Sequence, residues 1–264
     1  MNLVFLKLGG SLITDKTRPY TLCADKLDSL VGEIASSLKE NADLRLVLGH
    51  GSGSFGHAAA SRHATRLGVS TPEGWRGFAE VWYQASALNR LVVEAFHRVD
   101  LPVVSLSPAA SVIAQDGKVI SWEPYQIRTA LANGLIPLIQ GDVIFDVSRG
   151  GTILSTEDLF AHLAHFLRPQ RILLAGLESG VWADFPAREL LLEEVTPGLL
   201  SSLSSVLGPT AGIDVTGGMH SKVSEMLALV EEIPGLEILI FSGEQPGNLQ
   251  RALHGENPGT RLHR

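Results

Sequence analysis

The stretch Leu46-Val-Leu-Gly-His-Gly-Ser-Gly-Ser-Phe-Gly-His57 decides how the rest of the chain is read. The apolar run Leu44 to Leu48 has the length of a buried strand, and it empties into Gly49, Gly51, Gly53 and Gly56 before an Ala-rich helical segment expected to begin near Ala58. Glycines let main-chain N–H groups approach an anion with no Cβ in the way, and a helix N-terminus adds unpaired donors and partial positive charge. The segment is expected to bind phosphate. Two standard motifs do not fit it. Gly51, Gly53 and Gly56 have dinucleotide spacing, but the acidic-ended strand that should follow about 20 residues on is missing from Arg62 to Glu73. A Walker A reading also fails, because His57 and Ala58 stand where Lys and Ser or Thr are required.

Two further glycine turns carry a cation. Asn2 to Leu8 reads as a strand running into Gly9-Gly10-Ser11, so Lys7 falls at a strand's C-terminal end, where open α/β sheets hold their ligands. Downstream, Asp214-Val-Thr-Gly-Gly-Met-His-Ser-Lys222 turns into an amphipathic helix, Met219 to Glu231, with Lys222 in its first turn. Lys16 lies in a polar loop after Ser11.

Between these turns, strands alternate with helices. Asp25 to Lys39 has helical spacing, as does Trp75 to Val99, whose aromatic cluster of Trp75, Phe78, Trp82 and Tyr83 is a candidate wall for an apolar ligand. Two hairpins are expected, Val112 to Ile120 turning on Asp116-Gly117, and Val143 to Leu154 turning through Ser148 to Gly151. Ser155 or Thr156 is a candidate helix N-cap, with Asp158 in the first turn. Asp142 and Asp158 flank the second hairpin and are candidates to orient lysines or a hydrated Mg²⁺. Leu236 to Phe241 reads as the last strand, Leu199 to Leu207 as a weak helix, and His254 to Arg264 as a loose tail. The pattern predicts an α/β fold, a mostly parallel central sheet covered on both faces, with hairpin lid elements.

The bulk properties narrow the ligand. The chain has 264 residues, 45% of them hydrophobic, enough for one large domain. A net charge of −7 argues against a general nucleic-acid surface, so a polyanion would be held in a local pocket. The one cysteine, Cys23, excludes an internal disulfide or a cysteine metal cluster and fits a cytoplasmic setting. No apolar run reaches the roughly 18 residues of a membrane span, and no signal peptide is seen. Three glycine turns, each with a Lys or His, exceed what one phosphate needs. They suit a nucleoside triphosphate facing a second anionic substrate, and hence phosphoryl transfer.

Taken together, Lys7-Leu-Gly-Gly-Ser11, His50-Gly-Ser-Gly-Ser-Phe-Gly-His57, Gly141-Asp142, Ser155-Thr-Glu-Asp158 and Asp214 to Lys222 resemble the amino acid kinase superfamily, and within it the isopentenyl phosphate kinase branch. The glycine loop closing on His57, with Lys16 in Ile13-Thr-Asp-Lys16, sets that branch apart. This resemblance implies one three-layer αβα domain over 1–264, with an acceptor lobe of about 1–168 and a nucleotide lobe of about 169–264. It implies ATP and Mg²⁺, an alkyl monophosphate acceptor and a homodimer. By motif position, Lys7, Gly9, Gly10, Ser11, Ser52, Gly53, Gly218 and Lys222 would bind the nucleotide, and Lys16 would stabilise the transition state. Gly51, Ser54, His57 and Gly141 would hold the acceptor, with Phe78 and Trp82 beside its tail. No protein-built metal site is implied. Ser52 and Ser179-Gly-Val-Trp182 depart from the branch's usual pattern, as does Gly176, which bears on nucleotide preference. A phosphonate kinase resembling fosfomycin kinases is the near alternative, and a non-catalytic nucleotide binder the distant one.

Overall fold

The computed structural model describes residues 2–184, 187–200 and 219–264. Gly218, the turn that precedes it, and the end of the expected helix after Leu199 lie outside the described residues.

From the N-terminus, strand β1 (Asn2–Leu8) is followed by a single helical turn α1 (Gly10–Ile13), helix α2 (Ala24–Glu40) and strand β2 (Leu44–His50). Helices α3 (Gly53–His63) and α4 (Pro72–His97) lead to β3 (Val103–Ser105) and the first hairpin, β4 (Ile113–Gln115) and β5 (Lys118–Ser121). Helix α5 (Tyr125–Ala132) and strand β6 (Ile136–Gln140) precede the second hairpin, β7 (Asp142–Asp146) and β8 (Gly150–Leu154). Helix α6 (Thr156–Leu167) and strand β9 (Arg171–Gly176) then bring the chain to the short strands β10 (Val181–Trp182), β11 (Leu191–Leu192) and β12 (Glu194–Val195). Helix α7 (Met219–Glu232), strand β13 (Glu237–Ser242), helix α8 (Asn248–Leu253) and strand β14 (Thr260–Leu262) complete the described elements.

Eight strands form the central sheet in the order β12, β14, β13, β9, β1, β2, β6, β3. From β13 to β3 every neighbouring pair is parallel. Alternation along β1 divides the core. Leu3 and Phe5 join a cluster built with α5, α6 and α7, whereas Val4, Leu6 and Leu8 face α2, α4 and α8. Lys7 has the parity of Leu3 and Phe5, so its side chain leaves the sheet towards α6 and α7. The three-layer arrangement is the one expected. The two hairpins make a separate four-stranded sheet, in the order β5, β4, β7, β8, beside the C-terminal edge of β6.

Two sequence expectations change. Helix α3 starts at Gly53 rather than near Ala58, because glycine's freedom lets the chain turn into helix inside the loop, with Gly53 itself at φ +49°. The tail is not loose. Strand β14 is inserted between β13, antiparallel to it, and β12. Thr260 and Leu262 are fully buried, and the Thr260 hydroxyl accepts from the Val181 N–H at 2.8 Å and donates to the Leu192 carbonyl at 2.5 Å. Three residues are too few for a periodic signal. No helix among the described residues is long and apolar enough to cross a membrane.

Thr260→Val keeps the side-chain shape but strands the buried Val181 N–H and removes the donor to the carbonyl of half-buried Leu192. A loss of about 1–3 kcal/mol is expected in chemical denaturation, with the fold retained.

Candidate active site

The C-terminal ends of β1, β2, β6 and β9 open onto one cavity of about 650 Å³. Lys7, Lys16, His57 and Lys222, which the sequence places on four separate segments, all line it. So do Gly9, Gly10 and Ser11 from the first glycine turn, Gly51, Ser52 and Gly53 from the second, and Gly141 and Asp142 from the loop after β6.

The two glycine turns touch backbone to backbone. A Cβ on Gly10 would collide with the Gly53 amide, and one on Gly51 would lie 2.8 Å from the Gly10 nitrogen. Glycine is needed there for loop-on-loop contact as well as for anion access. The result places the start of α1 beside the N-terminus of α3, where the Ser54 N–H is taken by Thr14 Oγ1 and the Phe55 N–H by the Ser52 carbonyl, while the N–H of the leading Gly53 has no intrahelical acceptor.

At one end of the cavity, Lys7 and Lys222 converge on a carboxylate that was not singled out from sequence. Glu157 accepts from Lys7 Nζ at 2.5 Å and lies 3.2 Å from Lys222 Nζ, and its side chain is 9% exposed. Burial alone would raise the Glu157 carboxyl, but the two ammonium groups pull it down to about 2. Lys7 is held below the usual lysine range by burial and by the Lys222 charge, against the pull of Glu157. Asp158, assigned the lysine-organising role from sequence, is engaged elsewhere. It accepts from the Ser155 N–H at 2.7 Å while its own N–H donates to Ser155 Oγ at 3.1 Å, a closed capping box. Neighbouring helical residues point about 100° apart, so the cap turns Glu157 into the cavity and keeps Asp158 out of its lining, from where the Asp158 charge still acts on Lys7 more weakly than Glu157 does.

His57 is exposed at the cavity mouth, and partial desolvation of its ring first, then the charges of Lys16, Lys7 and Arg66, lower its pKa. Arg66 also borders the cavity, a cation the sequence reading passed over. Asp142 is pushed up to about 7 by burial, against hydrogen bonds from the Val143 and Ala109 N–H groups and Ser107.

On the side of α3, α4 and β8 the apolar lining comes from Ala60, Val81, Ala85, Ile153 and Leu154. Phe78 and Trp82 are not among these residues. Phe78 is buried in a satellite core with Ala59, Val69 and Val143, its ring 5.4 Å from Trp75 and 5.0 Å from Phe145. Trp82 is 44% exposed on another face of α4. Trp75 and Phe78 thus pack α4 against Phe145 of the hairpin sheet, and small and branched residues of the same helix reach the cavity instead. Ser54 is likewise structural, its N–H donating to Thr14 Oγ1 at 2.9 Å. Gly176, Leu177 and Glu178 border the cavity after β9.

Glu157→Gln would leave two ammonium groups facing each other without a counter-charge, and kcat is expected to fall roughly 10- to 100-fold. Because the folded pKa lies below the ordinary 4.5, the stability this carboxylate contributes is complete above pH 4.5 and drains away as pH falls towards about 2. Denaturant midpoints through that window should decline more steeply in the wild type than in Glu157→Gln.

The sequence model of the amino acid kinase family matches residues 2–242. An isopentenyl phosphate kinase of Methanothermobacter thermautotrophicus is 34% identical over 98% of this chain and 98% of its own. One of Haloferax volcanii is 32% identical, again over 98% of each. A solved structure described as isopentenyl phosphate kinase superposes with a TM-score of 0.83 at 29% identity, covering 98% of this chain and 99% of that one. With the lysines and glycine turns converging as phosphoryl transfer requires, and with this likeness along nearly the whole length, the chain belongs to the amino acid kinase family, among the isopentenyl phosphate kinases.

Proposed function

We propose that this kinase transfers the γ-phosphoryl group of ATP to the phosphate of isopentenyl phosphate, giving isopentenyl diphosphate and ADP. The observation that carries the reading is a single cavity lined both by Lys7, Lys16 and Lys222 and by the apolar side chains Ala60, Val81, Ala85 and Ile153. A cationic region suits the phosphates of donor and acceptor, and the apolar wall suits a short hydrocarbon tail.

In the reaction, an acceptor phosphate oxygen forms a bond to the γ-phosphorus as the bond from that phosphorus to the β,γ-bridging oxygen breaks. The bond electrons leave with ADP. The acceptor oxygen is already ionised, so no general base is needed, and the protein's task is alignment and neutralisation of charge. Lys7 and Lys222, spaced by Glu157, lie where the donor phosphates bind, and Lys16 meets the moving phosphoryl group. His57 donates a hydrogen bond to the acceptor phosphate, whose charge raises the imidazole pKa on binding.

Mg²⁺ would add neutralising charge on the nucleotide's phosphates. Among the described residues three carboxylates border the cavity: Asp142, Glu157 and Glu178. Asp142 accepts from the Val143 N–H and Gln140, Glu157 faces two lysines, and Glu178 faces Arg188 and the Trp182 indole N–H. The ion's oxygen ligands would therefore come from ATP and water. By the same reading, residues up to about 168 form the acceptor lobe and those beyond it the nucleotide lobe.

The deciding experiment measures ADP release with MgATP over isopentenyl phosphate, longer and shorter alkyl monophosphates, and fosfomycin. Turnover should be best on isopentenyl phosphate; a preference for fosfomycin would move the enzyme to the phosphonate branch, and silence across the panel would sink the assignment. Lys16→Ala should lower kcat by about 10²- to 10³-fold, as loss of one transition-state donor does. Ala85→Phe should raise the KM for isopentenyl phosphate while sparing a methyl phosphate acceptor; equal effects on both would place the tail elsewhere.

A further inference from the structure

Asn89 lies on the inward face of α4 between Ala85 and Val92 and is 7% exposed. A carboxamide buried in an apolar stripe is destabilising unless its groups are matched. Here they are. Its Oδ1 accepts from Ser105 Oγ at 2.7 Å, and its Nδ2 lies 3.1 Å from both Gln140 Oε1 and His50 Nε2.

The partners fix the direction of every bond. Gln140 donates its Nε2 to Asp142 Oδ2, at 3.3 Å, which leaves its Oε1 to accept from Asn89. Asn89 must then donate to both neighbours, and His50 Nε2 must accept. Burial keeps the His50 ring neutral, its pKa pushed down to about 4. The one ring proton is thus on Nδ1, which donates to the Gly51 carbonyl at 3.1 Å. A trans peptide points its carbonyl and the following N–H in opposite directions. With the Gly51 carbonyl drawn to the buried ring, the Ser52 N–H turns the other way, at a loop that borders the cavity. The second arm of the chain holds Asp142 beside Gly141, across from that loop.

We propose that Asn89 is a positioning residue for the acceptor phosphate, setting the Gly51–Ser52 peptide through His50 and the Gly141–Asp142 wall through Gln140. The inference rests on the acceptor assignment made above. Gly51 and Gly141 are the acceptor's contacts and none of the lysines belongs to this chain of bonds, so its loss falls more heavily on the acceptor than on the nucleotide, which the chain reaches only through Ser52.

Asn89→Asp keeps the shape and removes both N–H donors; Ser105→Ala removes only the hydroxyl that holds Asn89 and is the variant to use should the first fail to fold. Asn89→Asp is expected to raise the KM for isopentenyl phosphate about tenfold, and Ser105→Ala about threefold, with the KM for ATP moving less than about twofold in both. His50→Asn, whose amide nitrogen can stand where Nδ1 stands, should retain a lower acceptor KM than His50→Gln. A purely structural role would lower the denaturation midpoint and leave both KM values alone, or raise them equally, and would treat the two His50 variants alike; either result overturns the proposal. An inactive wild type would instead overturn the acceptor assignment on which it stands.

Discussion

Two ammonium groups cannot be drawn together in a half-dry cavity unless something of opposite sign lies between them. Glu157 supplies that charge, and much of the architecture serves to hold it there. Lys7 arrives from β1 because alternation along that strand turns it to the α6 side. Lys222 arrives from the first turn of α7. The carboxylate itself sits in the first turn of α6, where the helix dipole favours an anion, and the Ser155–Asp158 cap fixes where that turn begins. A chain crossing of 150 residues, from Lys7 to Glu157, is therefore settled by one ion pair.

The glycine turns impose the second constraint. Read as sequence, their glycines suggest room for an anion. In the fold they also allow two loops to meet with no side chain between them, Gly10 against Gly51 and Gly53. Gly49 adds a third close approach, since a Cβ there would strike Thr156 and Phe160 of α6. The same residues thus bring α1, α3 and α6 to one point at the edge of the sheet, and the helix starts gather there as a consequence of packing.

Much of this was legible in the chain. An apolar strand interrupted by Lys7 next to Gly-Gly, and a glycine loop closed by His57, carry their chemistry in local order, and all the cations so identified among the described residues border one cavity. The choice between Glu157 and Asp158 was not legible, because adjacent acids in a first turn differ only by helix rotation, which depends on where the cap falls. Nor was the tail pocket. Phe78, Trp82, Val81 and Ala85 all sit on α4, and which of them faces a ligand depends on how the hairpin sheet docks, a long-range contact that periodicity does not encode. Asn89 was missed for a related reason: its partners Ser105, His50 and Gln140 come from three different strands or strand ends.

Strand β14 occupies an interior slot of the sheet although it is built from residues 260–262. On a ribosome delivering about 5–20 residues per second, β13 emerges first and waits with one side open. During that interval β12 lacks its one neighbour among the described strands, and the exposed ladder of β13 is a docking edge for any other nascent strand. Translation, and not only thermodynamics, therefore governs when this sheet becomes safe from misassembly.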